Sequence, residues 1–204
     1  MASIFLTSKF SEVSKKIFEI LDKKNLGKDV LFITTASKFS KDKSSIKEDF
    51  DKFKERGFNI YLTDISNKSE IELINLGRKY RIIFIAGGNT FFLMQEIKKI
   101  GFDKVLFEIF KNNKAYIGSS AGSAIFGLTI KYLKIFDDYS LAKNINNYSG
   151  LKFFNFLLYP HYNQEKFIRF YPLIKKKYKK SKFVKIRDDQ FIYFEGDLSR
   201  FKIF

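Results

Sequence analysis

Five short runs rich in β-branched and aromatic residues punctuate the first 120 residues: SIFLTS, DVLFITTAS, FNIYLTDI, RIIFIAGG and KAYIGSS. Each ends in small or polar residues, and each is followed by a helix-like stretch. Strands that are apolar nearly throughout must be covered on both faces, and strand–helix alternation supplies the cover. The pattern predicts an α/β fold: a doubly wound, mostly parallel sheet with helices on both faces and functional groups at the carboxyl ends of the strands. The helices carry their own marks. FSEVSKKIFEILDKK puts Val13, Ile17, Ile20 and Leu21 on one stripe, and Ser45 with Glu48 and Ser69 with Glu72 have capping-box spacing. The last segment, FIYFEGDLSRFKIF, reads as two strands around Gly196-Asp197, a C-terminal β-hairpin appended to the sheet. At 204 residues, one domain over 1–204 is expected.

Composition removes several kinds of chemistry. The chain has no Cys, which excludes disulfides, thiolate metal sites and cysteine nucleophiles. No uncharged window approaches the length of a membrane span, and the first apolar stretch is too short for a secretion signal, so a cytoplasmic location without membrane association is expected. The formal charge of +16 raises nucleic acid as a partner. The lysines are scattered, however, and enrichment in Lys, Ile, Asn, Phe and Tyr together is what AT-rich codons produce. The one cluster, Lys175 to Lys182 in KKKYKKSK, sits at an expected helix end, where cations suit the dipole. With no RNP-like or arginine-rich motif, nucleic acid is not the expected partner. A protein that binds anionic ligands through its basic surface stays as the alternative.

The chemistry concentrates in AYIGSSAGSAIFG. Gly118-Ser119-Ser120-Ala121-Gly122 is G-x-S-x-G between an expected strand and an expected helix, the arrangement of a nucleophile elbow with Ser120 at its centre. There the hydroxyl lies at a helix N-terminus, and the Ala121 N–H is available to an oxyanion. A serine needs a base, and His161, in LLYPHYNQ, is the single histidine. It follows an apolar run and a proline, at a strand end or in the loop beyond. A third element, FIAGGNTFFLMQEI, ends a strand at Gly87-Gly88 and starts a helix that Asn89 or Thr90 can cap. It can add the Gly88 N–H to the same crevice. Alone it also reads as a phosphate-binding turn, although it lacks the P-loop lysine.

Together AGGNTFFL, YIGSSAG, PHYN and IRDDQFIYFEGD, in this order and at these separations, resemble the peptidase E (aspartyl dipeptidase) and cyanophycinase family of serine peptidases, through most of the chain. The resemblance implies a fold like glutamine amidotransferase domains, Ser120 as nucleophile, His161 as base and oxyanion donors at Gly88 and Ala121. It implies no metal or organic cofactor. For the triad acid it offers two positions, Asp188 in the late segment, which we prefer, and Asp137 in KIFDDYS. Peptidase E cleaves dipeptides with an N-terminal aspartate using an arginine shortly after the histidine. Here that position is Gln164, with Lys166 and Arg169 nearby, so selectivity for an N-terminal aspartate and a broader or different peptide preference both stay open. The candidate substrate-binding residues are Asn89, Thr90, Gln164 and Arg169. The expected partner is a small peptide, with a homodimer as an open expectation and a catalytically idle relative as a further alternative.

Overall fold

The computed structural model describes residues 2–111, 114–196 and 200–204. In chain order its elements are β1 (Ser3–Thr7), α1 (Phe10–Lys23), β2 (Asp29–Ile33), α2 (Ser44–Glu55), β3 (Asn59–Thr63), α3 (Glu70–Lys79), β4 (Ile82–Ile85), α4 (Thr90–Lys99) and α5 (Phe102–Lys111). There follow β5 (Ala115–Ser119), α6 (Ala121–Ala124), β6 (Leu157–Tyr159), α7 (Glu165–Lys177), β7 (Phe183–Lys185), β8 (Phe191–Glu195) and β9 (Lys202–Ile203). All five runs picked from the sequence are strands, and they pair in parallel in the order β3-β2-β4-β5-β1. β8 continues the sheet antiparallel to β1, and β9 pairs antiparallel with β8.

The sheet is covered on both sides, and the pleat decides which residues face which cover. Phe5, Val30, Phe32, Ile82, Phe84 and Ile117 pack with Phe10 and Ile17 of α1 and Phe53 of α2. The alternate positions Ile4, Leu6, Leu31, Ile33, Ile83, Ile85 and Tyr116 pack with Leu73 of α3, Leu93 and Ile97 of α4 and Leu106 of α5. Each fully buried large side chain contributes about 1.5–3 kcal/mol of transfer free energy. Where one face is uncovered the pattern relaxes. β3 forms one edge of the sheet, and Tyr61 and Leu62 on it are exposed.

Local signals held unevenly. On α1, Val13, Ile17 and Leu21 are buried and Ile20 is partly so. The Ser69–Glu72 box forms, with Glu72 N–H donating to Ser69 Oγ at 3.3 Å and Ser69 N–H to Glu72 Oε2 at 2.8 Å. The Ser45–Glu48 box does not. α2 starts two residues earlier than that box requires, at Ser44, Asp42 Oδ1 takes the Ser44 N–H at 2.8 Å, and Glu48 instead accepts from Ser11 Oγ and pairs with Lys9. The C-terminal strands pair as a hairpin, with Tyr193 opposite Lys202. Its connection runs over 196–201, and Asp197, read as part of the turn, lies outside the described residues. The lysines at 175–177 do fall in the last turn of α7. Among the described residues no helix is long and apolar enough to cross a membrane.

After α6 the chain leaves the main sheet. β6 and β7 form a separate parallel pair, Leu157 opposite Phe183 through Tyr159 opposite Lys185, with α7 as their crossover. The strand-to-helix turn at the end of β5 depends on bare backbone. A Cβ on Gly118 would come within 2.6 Å of the Gly122 carbonyl, and one on Gly122 within 2.2 Å of Ile85 O on β4. Gly122→Ala therefore pushes α6 off β4, and we expect a loss of about 1–3 kcal/mol, the usual cost of overpacking. A urea midpoint equal to that of the wild type would contradict this packing.

Candidate active site

β5 ends at Ser119, and the next residue turns the chain. Ser120 has φ +49° and ψ −104°, a conformation that L-residues rarely adopt and that persists only where the surroundings enforce it. Here its N–H donates to Thr7 O on neighbouring β1 at 3.0 Å, and its carbonyl accepts from Ser123 N at 3.0 Å and Ala124 N at 2.9 Å. The backbone is held at both ends, so the side chain projects into a cleft of about 360 Å³ between the sheet and the β6–β7 unit. Ser119 also borders the cleft but is turned toward α1. Its Oγ accepts the Phe10 N–H at 3.3 Å on the α1 side.

His161 comes from the second unit. It follows β6 and Pro160, has φ +58°, and is held by its own N–H, which donates to Ser8 Oγ at 2.7 Å. Nε2 lies 2.9 Å from Ser120 Oγ, and Nδ1 lies 2.6 Å from Asp188 Oδ1. Asp188 is delivered by the strand paired with β6. Ile186 N–H donates to Tyr159 O, Tyr162 N–H donates to Ile186 O, and Asp188 N–H donates to Asn163 Oδ1 at 3.0 Å. Burial by itself would raise the Asp188 carboxyl, but the hydrogen bonds from His161, Gln164 and Ser8 outweigh it and hold the group well below the usual carboxylate range.

The other acid is placed differently. Asp137 Oδ2 accepts the Thr90 N–H at 3.0 Å, at the N-terminus of α4. Burial pushes it up, opposed chiefly by its hydrogen bonds to Thr90. Asn89 caps the same helix through Oδ1 to Phe92 N at 2.9 Å and donates Nδ2 to Asp138 O at 2.7 Å. Asn89 and Thr90 thus fasten the 137–138 segment to α4, and neither lines the cleft. Gln164 does line it. Its Nε2 donates to Asp188 Oδ2 at 2.8 Å and stands 3.3 Å from His161 Nδ1. Arg169 is exposed on α7, its guanidinium 5.8 Å from the Phe170 ring centre.

Gly87 and Gly88 form the wall beside Ser120. A Cβ on Gly87 would stand 3.2 Å from Ser120 Cβ, and Gly88, at φ +137°, leaves no room for one because Ala36 O would be 2.3 Å away. Among the described residues, neither the Gly88 nor the Ala121 N–H donates to an acceptor, and Gly88 lines the cleft. Two residues in this region escaped sequence reading. Ser8, just past β1, contacts both His161 and Asp188. Asp49, on α2, borders the cleft, accepting the Ser11 N–H at 3.0 Å and hydrogen-bonded to Ser119. Ser8 could be placed from sequence only at the carboxyl end of an expected strand, with nothing to mark its partners.

Residues 3–201 match the model of peptidase family S51, and the chain belongs to that family. It is a serine-type peptidase by that membership. It is 36% identical over 167 residues to an uncharacterized peptidase of Listeria monocytogenes, covering 82% of this chain and 81% of that one. A peptidase E of a Shewanella species (strain ANA-3) is 37% identical over 81 residues, 40% of this chain and 33% of the relative. A crystal structure of a Listeria monocytogenes EGD-e protein whose name refers to peptidase E superposes with TM-score 0.87 at 32% identity, covering 100% of this chain and 98% of that one.

Asp49 gives this region a measurable signature. Its carboxyl is buried, and desolvation raises it to about 7 despite the hydrogen bonds from Ser119 and Ser11. The unfolded value is about 3.9. Between these limits the folded state holds a proton that the unfolded state has lost. The group's stabilisation is therefore complete below about pH 4 and is lost as pH rises to about 7, with a slope of at most roughly 1.4 kcal/mol per pH unit. Asp49→Asn keeps an acceptor for Ser11 and removes the titration. The difference in unfolding free energy between variant and wild type should shift in the variant's favour from pH 4 to pH 7.5; a difference constant with pH would contradict the assignment.

Proposed function

We propose that the chain hydrolyses short peptides by acyl transfer through Ser120, with His161 as general base and Asp188 as the acid that orients it. The carrying observation is the continuous chain of contacts from Ser120 Oγ to His161 Nε2 at 2.9 Å and from His161 Nδ1 to Asp188 Oδ1 at 2.6 Å. Those three side chains come from segments far apart in sequence.

In this reading Ser120 Oγ attacks the scissile carbonyl carbon as His161 Nε2 takes its proton. The carbonyl oxygen becomes an oxyanion, which the N–H groups of Gly88 and Ala121 stabilise. Such donors act in a site already oriented and partly dry, where each is worth about 3–4 kcal/mol of barrier. The imidazolium then protonates the leaving amine, the C–N bond breaks, and an acyl-Ser120 ester remains. Water, deprotonated by His161, attacks that ester, and the proton returns to Ser120 as the acid product leaves. Asp188 keeps the Nδ1 proton in place throughout and offsets the charge on the imidazolium.

Two features bear on the substrate. Gln164, at the position where the family's arginine would recognise an N-terminal aspartate, engages Asp188. The cleft is small and hydroxyl-rich, with Ser37, Ser40 and Ser45 on its wall. We therefore assign it dipeptide-sized substrates without a requirement for N-terminal aspartate. Asp137, tied to the α4 N-terminus, serves as a structural anchor for the 137–138 segment.

A dipeptide library incubated with wild type and Ser120→Ala tests the reading. Turnover should fall by roughly three or more orders of magnitude in the variant while its melting temperature holds; a folded Ser120→Ala protein with near-normal turnover would refute it. Asp188→Asn should lower kcat by about 10²–10⁴ with a smaller change in KM, since it disturbs the tautomer. Asp137→Asn should act mainly on stability or KM. The opposite pattern would transfer the acid's role to Asp137.

A further inference from the structure

We infer that Ser8 is a positioning residue of this site, one hydroxyl that fixes both the backbone of His161 and the tautomer of its ring. The inference rests on the triad reading above, and the residue stands outside the G-x-S-x-G and histidine motifs that carry it.

Ser8 Oγ makes three close approaches. It accepts the His161 backbone N–H at 2.7 Å, donates to Asp188 Oδ1 at 2.7 Å, and lies 3.1 Å from His161 Nδ1. A serine hydroxyl has one proton and two lone pairs. Its proton is committed to the carboxylate, so the side facing Nδ1 presents a lone pair. Asp188 Oδ1, at 2.6 Å, presents another. A bare Nδ1 lone pair would face these two oxygens and have as donor only the more distant Gln164 Nε2, 3.3 Å away and already donating to Asp188 Oδ2 at 2.8 Å. The nearer pair of acceptors therefore favours the proton on Nδ1, which leaves the Nε2 lone pair for Ser120.

The backbone contact does separate work. His161 sits at φ +58°, where a residue other than glycine is strained. Its N–H would be a partly buried donor without Ser8, and leaving such a donor unmet is costly. Ser8 is itself almost fully buried, so its rotamer is fixed by packing. It also adjoins Thr7, whose carbonyl accepts the Ser120 N–H at 3.0 Å and Ser123 Oγ at 2.8 Å. The dipeptide at the end of β1 thus touches all three members of the contact chain, and a shift of β1 would move them together.

The chain's single histidine makes the test direct, because every imidazole signal in a nitrogen-15 spectrum belongs to His161. At alkaline pH the wild type should show one tautomer, protonated at Nδ1. Ser8→Ala should populate the Nε2-protonated tautomer and lower kcat on a cleaved dipeptide about 10–100-fold, with KM within about threefold, a smaller loss than removing the acid itself. Ser8→Thr keeps the hydroxyl and should restore the single tautomer and most of kcat. Should Ser8→Ala not fold, Ser8→Cys, whose thiol donates weakly, takes its place against Ser8→Thr. A single unchanged tautomer with kcat within twofold of wild type would overturn the inference, as would a kcat loss with the tautomer unmoved. The spectra need no hydrolysis, so a tautomer change in a chain whose turnover ignores Ser120→Ala would sustain Ser8's role while refuting the peptidase mechanism.

Discussion

The parallel pairing of β1 with β5 at the middle of the sheet is the constraint on which the rest depends. It sets Thr7 opposite Ser119, so the chain leaves both strands at the same level, toward Ser8 on one side and Ser120 on the other. Thr7 then locks the turn, donating its hydroxyl to Gly118 O at 2.8 Å and accepting the Ser120 N–H. A second parallel pair, β6 with β7, carries His161 and Asp188 to the same place. A slip of one residue in either pair moves a side chain by about 3.3 Å and turns it to the other face. The 2.9 Å contact of Ser120 with His161 between the two units and the 2.6 Å contact of His161 with Asp188 within the second would not survive that. Both pairings therefore have to be in register for the site to exist.

Three buried or half-buried aspartates near the cleft differ in their donors, and the difference separates their tendency to ionise. Asp188 accepts from an imidazole, a serine hydroxyl and a glutamine amide, which keeps it ionised against its burial. Asp137 and Asp49 each have one backbone N–H and a hydroxyl, and burial pushes both upward. A carboxylate that is charged beside an imidazole can orient it and offset its charge; one tending to neutrality at a helix N-terminus serves packing. The surrounding charge says less. Some of the lysines meet acids on the exposed surface, as in Lys47–Asp51 and Lys52–Glu55, where a pair is worth at most about 1 kcal/mol.

The fold was largely legible because its signal is repeated. Five short runs that are apolar nearly throughout, each closing on small or polar residues and followed by a helix, leave few alternatives to a parallel sheet with two covered faces. The elbow was legible for a steric reason, since Gly118 and Gly122 stand where backbone meets backbone. The nearness of His161 to Ser120 was open to guess only because the chain has one histidine. Other parts carried no local trace. Ser8 reaches a histidine 153 residues away, a contact made by topology alone. The β6–β7 pair is three residues long on each side, too short for periodicity to mark. Ser45 and Glu48 had the spacing of a cap, yet Asp42 took the helix start and Glu48 a tertiary partner. Asp137 and Asp188 both sit in loops, where sequence cannot say which carboxylate reaches the ring.

The central claim is that Ser120 alone is activated, by His161, in a chain rich in serines. It is tested most directly by treating the folded protein with a serine-directed phosphonate and locating the adduct by peptide mass spectrometry. The account predicts one stoichiometric adduct on Ser120 in the wild type, and labelling slowed by orders of magnitude in His161→Ala. An adduct on another residue, or equal labelling with and without the imidazole, would contradict it.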